Sequence, residues 1–297
     1  MSERLERILE RADELLSRME RMLPTTETID WSATYAATWS SKRGRSNFHP
    51  VGHIDTIQLD DLLEIDRQKD SLIQNTAQFC AGLPANNVLL WGARGTGKSS
   101  LIHALLNAFA ERSLRLVEVD KRSLADIAIL AEQLQQEPFR FIVVCDDLSF
   151  DATDTGYKEL KSSLEGAIFA TVENVLVYIT SNRRHLISEL AKENQELQEL
   201  HSSETVEEKI SLSDRFGLWL SFHPFDQEQY LRVVQHWVKH YAEQCNFEHS
   251  FDDEVRTIAL RWALNRGVRS GRTANHFARA WVGSKSLEIL SRESDGQ

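Results

Sequence analysis

The stretch GARGTGKSS at residues 92–100 restricts the fold of this chain more than any other feature of its sequence. It satisfies the pattern G-x-x-x-x-G-K-[ST], follows the apolar run NVLLW, and precedes a helical pattern that begins at Leu101. A glycine-rich turn between a strand and a helix directs backbone N–H groups toward a bound anion, which the helix N-terminus also favours. The sequence therefore predicts a phosphate-binding loop within an α/β domain.

Each residue of this loop is a candidate contact for a nucleotide. The Lys98 ammonium would reach the β- and γ-phosphates, and the Ser99 hydroxyl would bind magnesium, while backbone N–H groups surround the β-phosphate. The predicted binding residues of the loop are Gly92, Ala93, Arg94, Gly95, Thr96, Gly97, Lys98, Ser99 and Ser100. The ligands that the motif predicts are ATP and Mg²⁺.

Five apolar runs of strand length organise the middle of the chain. They are NVLLW (87–91), LRLVEV (114–119), RFIVVC (140–145), NVLVYIT (174–180) and GLWLSF (217–222). Helical patterns lie between the first four, and such alternation indicates a parallel sheet that is covered on both faces. Beyond Phe225 only helical patterns follow, and Asp226 with Gln229 resembles a capping pair for the first of them. We predict an α/β fold with a doubly wound parallel five-stranded sheet and a small C-terminal helical lid.

The chain divides into four predicted segments. They are an amphipathic helix (1–24), a linker or N-terminal extension (25–59), a P-loop nucleotide-binding α/β domain (60–225) and a helical lid domain (226–297). The first segment spaces its apolar residues by three and four, so it could dock on its own domain or associate with a second copy.

The acidic composition limits the partners of the chain. The chain has 34 Lys and Arg residues and 45 Asp and Glu residues, which gives a net charge of −11. Its surface should therefore repel nucleic acid and anionic lipid. The basic cluster of Lys42, Arg43 and Arg45 could contact nucleic acid, or it could simply be solvated. Three separated cysteines and the absence of a signal peptide or membrane span predict a cytoplasmic protein.

Polar residues follow two of the apolar runs. In FIVVCDD, Asp146 is placed to hold magnesium through water, and Asp147 to orient an attacking water, although one of them could instead cap the next helix. Asn182, after the fourth run, could hydrogen-bond both water and γ-phosphate, or serve as a turn residue. The carboxyl ends of parallel strands meet at one edge, so we expect these side chains near Lys98.

The order of these motifs resembles that of the AAA+ ATPases, whose sheet has the strand order 5-1-4-3-2. More narrowly, an uncharacterised prokaryotic ATPase family, number 815 among the domains of unknown function, is similar in several blocks. These blocks are PANNVLLWGARGTGKSS, RFIVVCDDLSF, NVLVYITSNRRHL, VEEKISLSDRFGLWLSFHPFDQEQYL and RSGR. The resemblance covers about residues 50–282 and implies ATP hydrolysis, without a physiological role.

The resemblance also implies roles for individual residues. Lys98 and Ser99 match Walker A, Asp146 and Asp147 match Walker B, and Asn182 matches sensor 1. The backbone that holds adenine would fall near Leu63 to Asp66, with Ile65 as the binding residue. Two departures from the common pattern are an Asp-Asp pair in place of Asp-Glu, which predicts slow turnover, and Glu64 where glycine is frequent.

Two arginines complete the site that the resemblance implies. Arg215, in SDRF, matches the arginine finger, which would act in trans within a homo-oligomer; it could instead pair with Asp214 or Glu208 on the surface. Arg272, in RSGR, matches sensor 2, and Arg269 is the competing residue.

Two further features carry weaker predictions. Seven glutamates within residues 189–209 indicate a solvated helix or loop, or a mobile element that senses nucleotide or contacts a partner. His236 and His240 lie one turn apart, but no third ligand is evident, so we interpret them as lid histidines rather than a metal site.

The leading hypothesis is a magnesium-dependent ATPase that converts ATP to ADP and couples this cycle to conformational or oligomeric change. Its macromolecular partner is unknown, and the acidic total favours a protein over nucleic acid. An ATP-switched binding module with little hydrolysis is the second hypothesis, favoured by the Asp-Asp pair. A small-molecule kinase would use the same loop but would need an acceptor pocket and a lid between the strands.

Overall fold

The computed structural model describes residues 29–42, 45–149, 172–182, 215–246 and 251–295. The chain forms two compact units, residues 1–30 and residues 31–297. The amphipathic helix predicted for residues 1–24 lies outside the described residues, as do the acidic segment 189–209 and the side chains of the basic cluster. Every helix and strand of the described ranges belongs to the second unit.

One mixed sheet forms the centre of the second unit. Its strands are β1 (Ala36–Lys42), β2 (Arg45–Pro50), β3 (Val88–Gly92), β4 (Leu114–Val119), β5 (Arg140–Cys145), β6 (Val175–Ser181) and β7 (Leu218–Phe222). Their order in the sheet is β2-β1-β4-β5-β6-β3-β7. The β1–β2 pair is antiparallel, and all other neighbouring strands are parallel. The predicted α/β fold class is therefore confirmed.

The five predicted strands correspond to β3 to β7. Numbered from the strand before the glycine-rich loop, their order is 5-1-4-3-2, which is the order that the resemblance implied. The predicted number of strands is wrong, because β1 and β2 extend the sheet beyond β4 and make it seven-stranded.

The two additional strands lie within the segment predicted as a linker or N-terminal extension. Trp39 of β1 is buried, and its ring packs edge-to-face on Phe48 of β2 at 4.7 Å between centroids. Trp31 packs in the same way on Phe48 and on Phe141 of β5, at 5.3 and 4.9 Å. These aromatic contacts fasten β1 and β2 to the rest of the core.

Six α-helices accompany the sheet in the described ranges. They are α1 (Asp66–Cys80), α2 (Lys98–Phe109), α3 (Ile127–Leu134), α4 (Gln227–Gln244), α5 (Asp253–Asn265) and α6 (Gly271–Asp295). Helix α2 begins directly after the glycine-rich loop and buries Leu101, Leu105 and Phe109 of its predicted helical pattern, whereas Ala108 of that pattern is exposed. Among these helices, none combines the length and the apolar composition that a membrane crossing requires.

The three last helices form the helical C-terminal part, whose predicted boundary at residue 226 stays a prediction. Helix α4 begins with a capping box, in which the Gln229 N–H donates to the Asp226 carboxylate at 2.8 Å. The Asp226 N–H donates in return to the Gln229 side chain at 2.9 Å. Buried side chains of α4 and α6, among them Tyr230, Val234 and Phe277, hold these helices together.

Candidate functional site

The glycine-rich loop, residues 92–97, connects the end of β3 with the first residue of α2. Gly92, Gly95 and Gly97 have φ values of 135°, 73° and 102°, which glycine adopts without strain. A Cβ atom at Gly92 would lie 1.9 Å from the backbone oxygen of Phe222 in β7. The loop therefore requires glycine for its backbone angles and for its close approach to the neighbouring strand.

Lys98, the first residue of α2, turns its ammonium back onto the loop. It donates to the backbone oxygens of Gly92 at 3.0 Å and Ala93 at 2.8 Å, and to Asn182 Oδ1 at 3.2 Å. The side chain is buried, and burial lowers the pKa of its ammonium, while the carboxylates of Asp146 and Asp147 oppose that effect. A buried cation held by carbonyl oxygens is well placed to exchange one of them for an anionic ligand.

Ser99 and Asp146 form the second part of the site. The Ser99 hydroxyl donates to Asp146 Oδ1 at 2.6 Å, across the gap between α2 and the end of β5. Thr180 of β6 donates its hydroxyl to the same carboxylate oxygen and accepts a hydrogen bond from the Asp147 N–H at 2.8 Å. A hydroxyl and a carboxylate side by side are the hard oxygen ligands that magnesium prefers.

Asp147 has a left-handed backbone, with a φ of 51°. Its carboxylate accepts a hydrogen bond from the Asn182 amide and lies 3.7 Å from the Arg94 guanidinium of the loop. Asn182 thus contacts Lys98 through its oxygen and Asp147 through its nitrogen. The structure brings together all of the polar residues that we predicted at the ends of β3, β5 and β6.

A cavity of about 440 Å³ opens beside the loop. Its lining residues come from the segment before α1, from the loop and the start of α2, from Phe225 between β7 and α4, and from helices α4 and α6. Its walls carry apolar groups such as Ile65, Phe225 and Trp237, together with polar groups such as Tyr241 and Asn275. This volume lies within the range of small-molecule sites.

The remaining predicted binding residues lie on the walls of this cavity. Ile65 is 3% exposed, and its Cδ1 lies 3.4 Å from the point where a Cβ on Gly97 would be. Ser100 lines the cavity from α2. Arg272 lines it from α6, and its backbone N–H donates to the Gly95 oxygen at 3.1 Å, whereas Arg269 is not among the lining residues.

Arg215 lies neither at the glycine-rich loop nor on the wall of this cavity. It precedes β7, whose first residue, Leu218, pairs with Val88 at the start of β3. The loop follows the other end of β3, at Gly92, so about 13 Å of strand separate the level of Leu218 from the loop. Arg215 is exposed and precedes the amino end of β7, whereas the phosphate-binding loop follows the carboxyl end of the neighbouring strand β3.

Several residues of the site escaped the sequence analysis. Thr180 joins both aspartates through its hydroxyl, and its only signal was its position just before Ser181-Asn182. The Tyr241 hydroxyl accepts hydrogen bonds from Asn275 Nδ2 at 3.0 Å and Arg279 Nε at 2.7 Å. All three residues lie on α4 or α6 and line the cavity. In the part of the chain that the structure describes, no cluster of three or more His, Cys, Asp and Glu side chains could hold a metal ion.

Taken together, the mostly parallel sheet, the glycine-rich loop and the adjoining helices define a P-loop α/β protein with a helical C-terminal part. Residues 32–285, which contain the whole sheet and the cavity, match the family described as a protein of unknown function, DUF815. The chain belongs to this family. No curated protein matches the chain in sequence.

Solved structures with a similar fold are distant in sequence. The RuvB Holliday junction branch migration motor of Thermotoga maritima is 16% identical, with a TM-score of 0.46 over 75% of this chain and 69% of that one. AMPPCP-bound DnaA from Aquifex aeolicus is 15% identical, with a TM-score of 0.48 over 80% of this chain and 69% of that one.

Proposed function

We propose that this chain is a magnesium-dependent ATPase of the AAA+ type, which couples ATP binding and hydrolysis to a change in lid angle or subunit contacts. The observation that carries this proposal is the connected set of Lys98, Asn182 and Asp147 at the carboxyl ends of three strands. A cation, an amide and a carboxylate in contact are the groups that binding a γ-phosphate and directing a water toward it require.

The phosphates of ATP would occupy the glycine-rich loop. Lys98 would exchange its contact with Asn182 for oxygens of the β- and γ-phosphates, which compensates their charge in a partly water-excluded site. Ser99 and Asp146 would hold Mg²⁺, since their oxygens already lie 2.6 Å apart. When bound, Mg²⁺ would neutralise phosphate charge during transfer.

Asp147 and Asn182 would act on the attacking water. Asn182, released from Lys98, would direct its amide toward the γ-phosphate and the water, and the Asp147 carboxylate would orient the water for attack. Apolar groups of the cavity, Ile65 among them, would bind the adenine, and Arg272 would reach the phosphates from the lid. The lid thus contributes contacts that depend on the bound nucleotide.

We infer that the active site is completed in trans within a homo-oligomer. Arg215 is exposed and precedes Leu218, whose level along the sheet is about 13 Å of strand from its own loop, so in such an oligomer it would face the loop of a neighbouring copy. A guanidinium in that position would stabilise charge on the γ-phosphate oxygens. The partner on which such a cytoplasmic oligomer acts would be a macromolecule, with a protein favoured by the net charge of −11.

The test is phosphate release from ATP and magnesium across a series of protein concentrations. We expect turnover per chain to rise with concentration, because the site needs a neighbour, and Arg215→Ala to lower it by about 10³-fold while ATP binding persists. Arg112→Ala, which removes an exposed arginine beyond the end of α2 that is distant from the loop, is the matched control. Turnover that is independent of concentration and unaffected by Arg215→Ala would refute the trans arrangement.

A second candidate is an ATP-switched binding module with little hydrolysis. The Asp147 carboxylate is already engaged by Asn182 and lies near Arg94, and it is one methylene shorter than the glutamate common at this position. Tight binding of ATP without phosphate release at any protein concentration would favour this function over the ATPase.

Asp147→Asn separates nucleotide binding from hydrolysis. Asparagine tolerates the left-handed backbone at this position, so the variant should fold, but it lacks the carboxylate that orients the water. We expect kcat to fall by about 10²-fold or more, with the KM for ATP changed by less than about threefold. Steady-state phosphate release measures both values, and Asp70→Asn, on the exposed side of α1, is the control. A kcat equal to that of the natural sequence would exclude Asp147 from the reaction.

A further inference from the structure

Helix α4 of the lid contacts residues 58–65, which we call the cavity wall segment because Asp61, Leu62, Leu63 and Ile65 of this segment line one side of the cavity. Arg232 of α4 donates through Nε to Glu64 Oε1 at 2.5 Å and through Nη2 to Glu64 Oε2 at 3.0 Å. One helical turn further on, His236 Nε2 lies 3.2 Å from Asp61 Oδ1. Two polar contacts therefore join α4 to this segment, and the first of them is bidentate.

The two side chains of the Glu64–Arg232 pair differ in their exposure. The Glu64 side chain is 17% exposed, whereas Arg232 is 55% exposed, so the carboxylate depends on the arginine for charged hydrogen-bond donors. These hydrogen bonds hold the pKa of the Glu64 carboxyl below its ordinary value, so the carboxyl stays ionised to a lower pH than a free glutamate does. A bidentate guanidinium–carboxylate pair fixes the geometry of its partners as well as their charge.

The backbone of Glu64 sets the shape of the cavity wall segment. Its φ of 67° is a left-handed conformation that costs a glutamate free energy and that glycine adopts freely. The residues on either side, Leu63 and Ile65, both line the cavity. The backbone conformation of Glu64 therefore decides how the Leu63 and Ile65 side chains face a ligand. The Glu64 carboxylate itself is bound by Arg232 of the lid helix α4.

We propose that the Glu64–Arg232 pair is a positioning device that keeps the cavity wall segment in its base-binding shape while the lid is docked. It links the lid angle to the residence time of nucleotide in the cavity. This inference rests on the proposed function for the identity of the ligand. Neither side chain lines the cavity, so the pair acts through Leu63 and Ile65 rather than through contact with nucleotide.

The test uses ADP that carries an N-methylanthraniloyl group as a fluorescent probe. Glu64→Gln and Arg232→Gln should each accelerate its dissociation by about 10-fold, because an ion pair between lid and wall is lost. The double variant should be no faster than either single variant, and the exchanged pair Glu64→Arg with Arg232→Glu should recover part of the loss. Glu64→Gly removes the ion pair but keeps the left-handed backbone favourable. The probe should therefore also dissociate faster from this variant than from the natural sequence.

Arg256→Gln is the matched control on the lid. Arg256 of α5 lies 3.6 Å from Glu228 of α4, so this variant removes a guanidinium from an ion pair that lies within the lid. The probe should dissociate from Arg256→Gln at the same rate as from the natural sequence. Dissociation accelerated to the same extent in this control would overturn a specific role for Arg232.

Hydrogen exchange of the backbone amides of residues 59–65, in protein without nucleotide, gives a second readout. Exchange should be about 10-fold faster in Glu64→Gln and Arg232→Gln than in Arg256→Gln, because the segment loses its link to α4. Unchanged exchange in both variants would overturn the proposal. If the natural sequence failed to bind the probe, the proposed function would fall, and exchange alone would still decide whether the pair holds the segment.

Discussion

Lys98→Met should lower the rate of ATP hydrolysis by about 10³-fold, since it removes the one buried ammonium that the loop holds beside the phosphate position. Methionine keeps the length and the apolar stem of lysine, so packing at the start of α2 should persist. ATP affinity should fall as well, because the same ammonium compensates the charge of the bound phosphates. Phosphate release and equilibrium binding of ATP in the presence of magnesium measure the two effects separately.

Lys239→Met provides the control for this substitution. Lys239 is an exposed residue of α4 whose ammonium lies 3.8 Å from Glu243, and it is remote from the loop in sequence. Its replacement should leave both hydrolysis and binding unchanged. Hydrolysis by Lys98→Met at the rate of this control would mean that phosphate transfer does not take place at the loop.

Lys98→Met should have only a small effect on the stability of the folded chain. Burial lowers the pKa of Lys98, so below that lowered value the folded state bears a cost for holding the charge, and methionine removes this cost. The substitution also removes the hydrogen bonds to the Gly92 and Ala93 oxygens, and this loss destabilises the folded state. We expect the free energy of unfolding to change by no more than about 2 kcal/mol in either direction.

Gly92→Ala should destabilise the whole sheet by about 3 kcal/mol or more. The added Cβ would lie 1.9 Å from the Phe222 backbone oxygen, and the φ of 135° at this position is unfavourable for alanine. The same oxygen accepts the Ala93 N–H at 2.9 Å, so any shift that relieves the clash breaks a hydrogen bond between the loop and β7. Urea unfolding followed by circular dichroism measures the change.

Gly283→Ala is the control, because its Cβ would meet no atom within 4 Å and the residue lies in the exposed part of α6. Alanine should stabilise that helix by about 1 kcal/mol, the opposite sign from Gly92→Ala. Equal stability of Gly92→Ala and the natural sequence would contradict the close approach of the loop to β7.

Much of the sheet follows from the sequence, because β3 to β7 are continuous apolar runs and are bounded by polar residues. β1 and β2 do not, since AATWSSK and RSNFHP contain few apolar residues and become strands through pairing with β4 and through aromatic contacts with distant residues. Strand propensity alone is weak, and tertiary packing decides such segments.

The site divides in the same way. Lys98, Asp146, Asp147 and Asn182 could be predicted, because each stands at a strand end or in a motif with a known mechanism. Glu64 and Arg232 could not be paired, since 168 positions separate them and their contact depends on how the lid docks. The contacts of Thr180 with Asp146 and Asp147 could not be predicted either, because they depend on the register between β5 and β6.

The Asn182 amide lies between the Lys98 ammonium and the Asp147 carboxylate and contacts both. A neutral spacer in this position prevents the two opposite charges from forming a direct ion pair, which would neutralise each of them. A hydrogen bond with one neutral partner is weaker than an ion pair, so an incoming phosphate displaces it at lower cost. In the proposed ATPase, the amide would thereby keep the Lys98 cation available to the nucleotide and the Asp147 anion available to the attacking water.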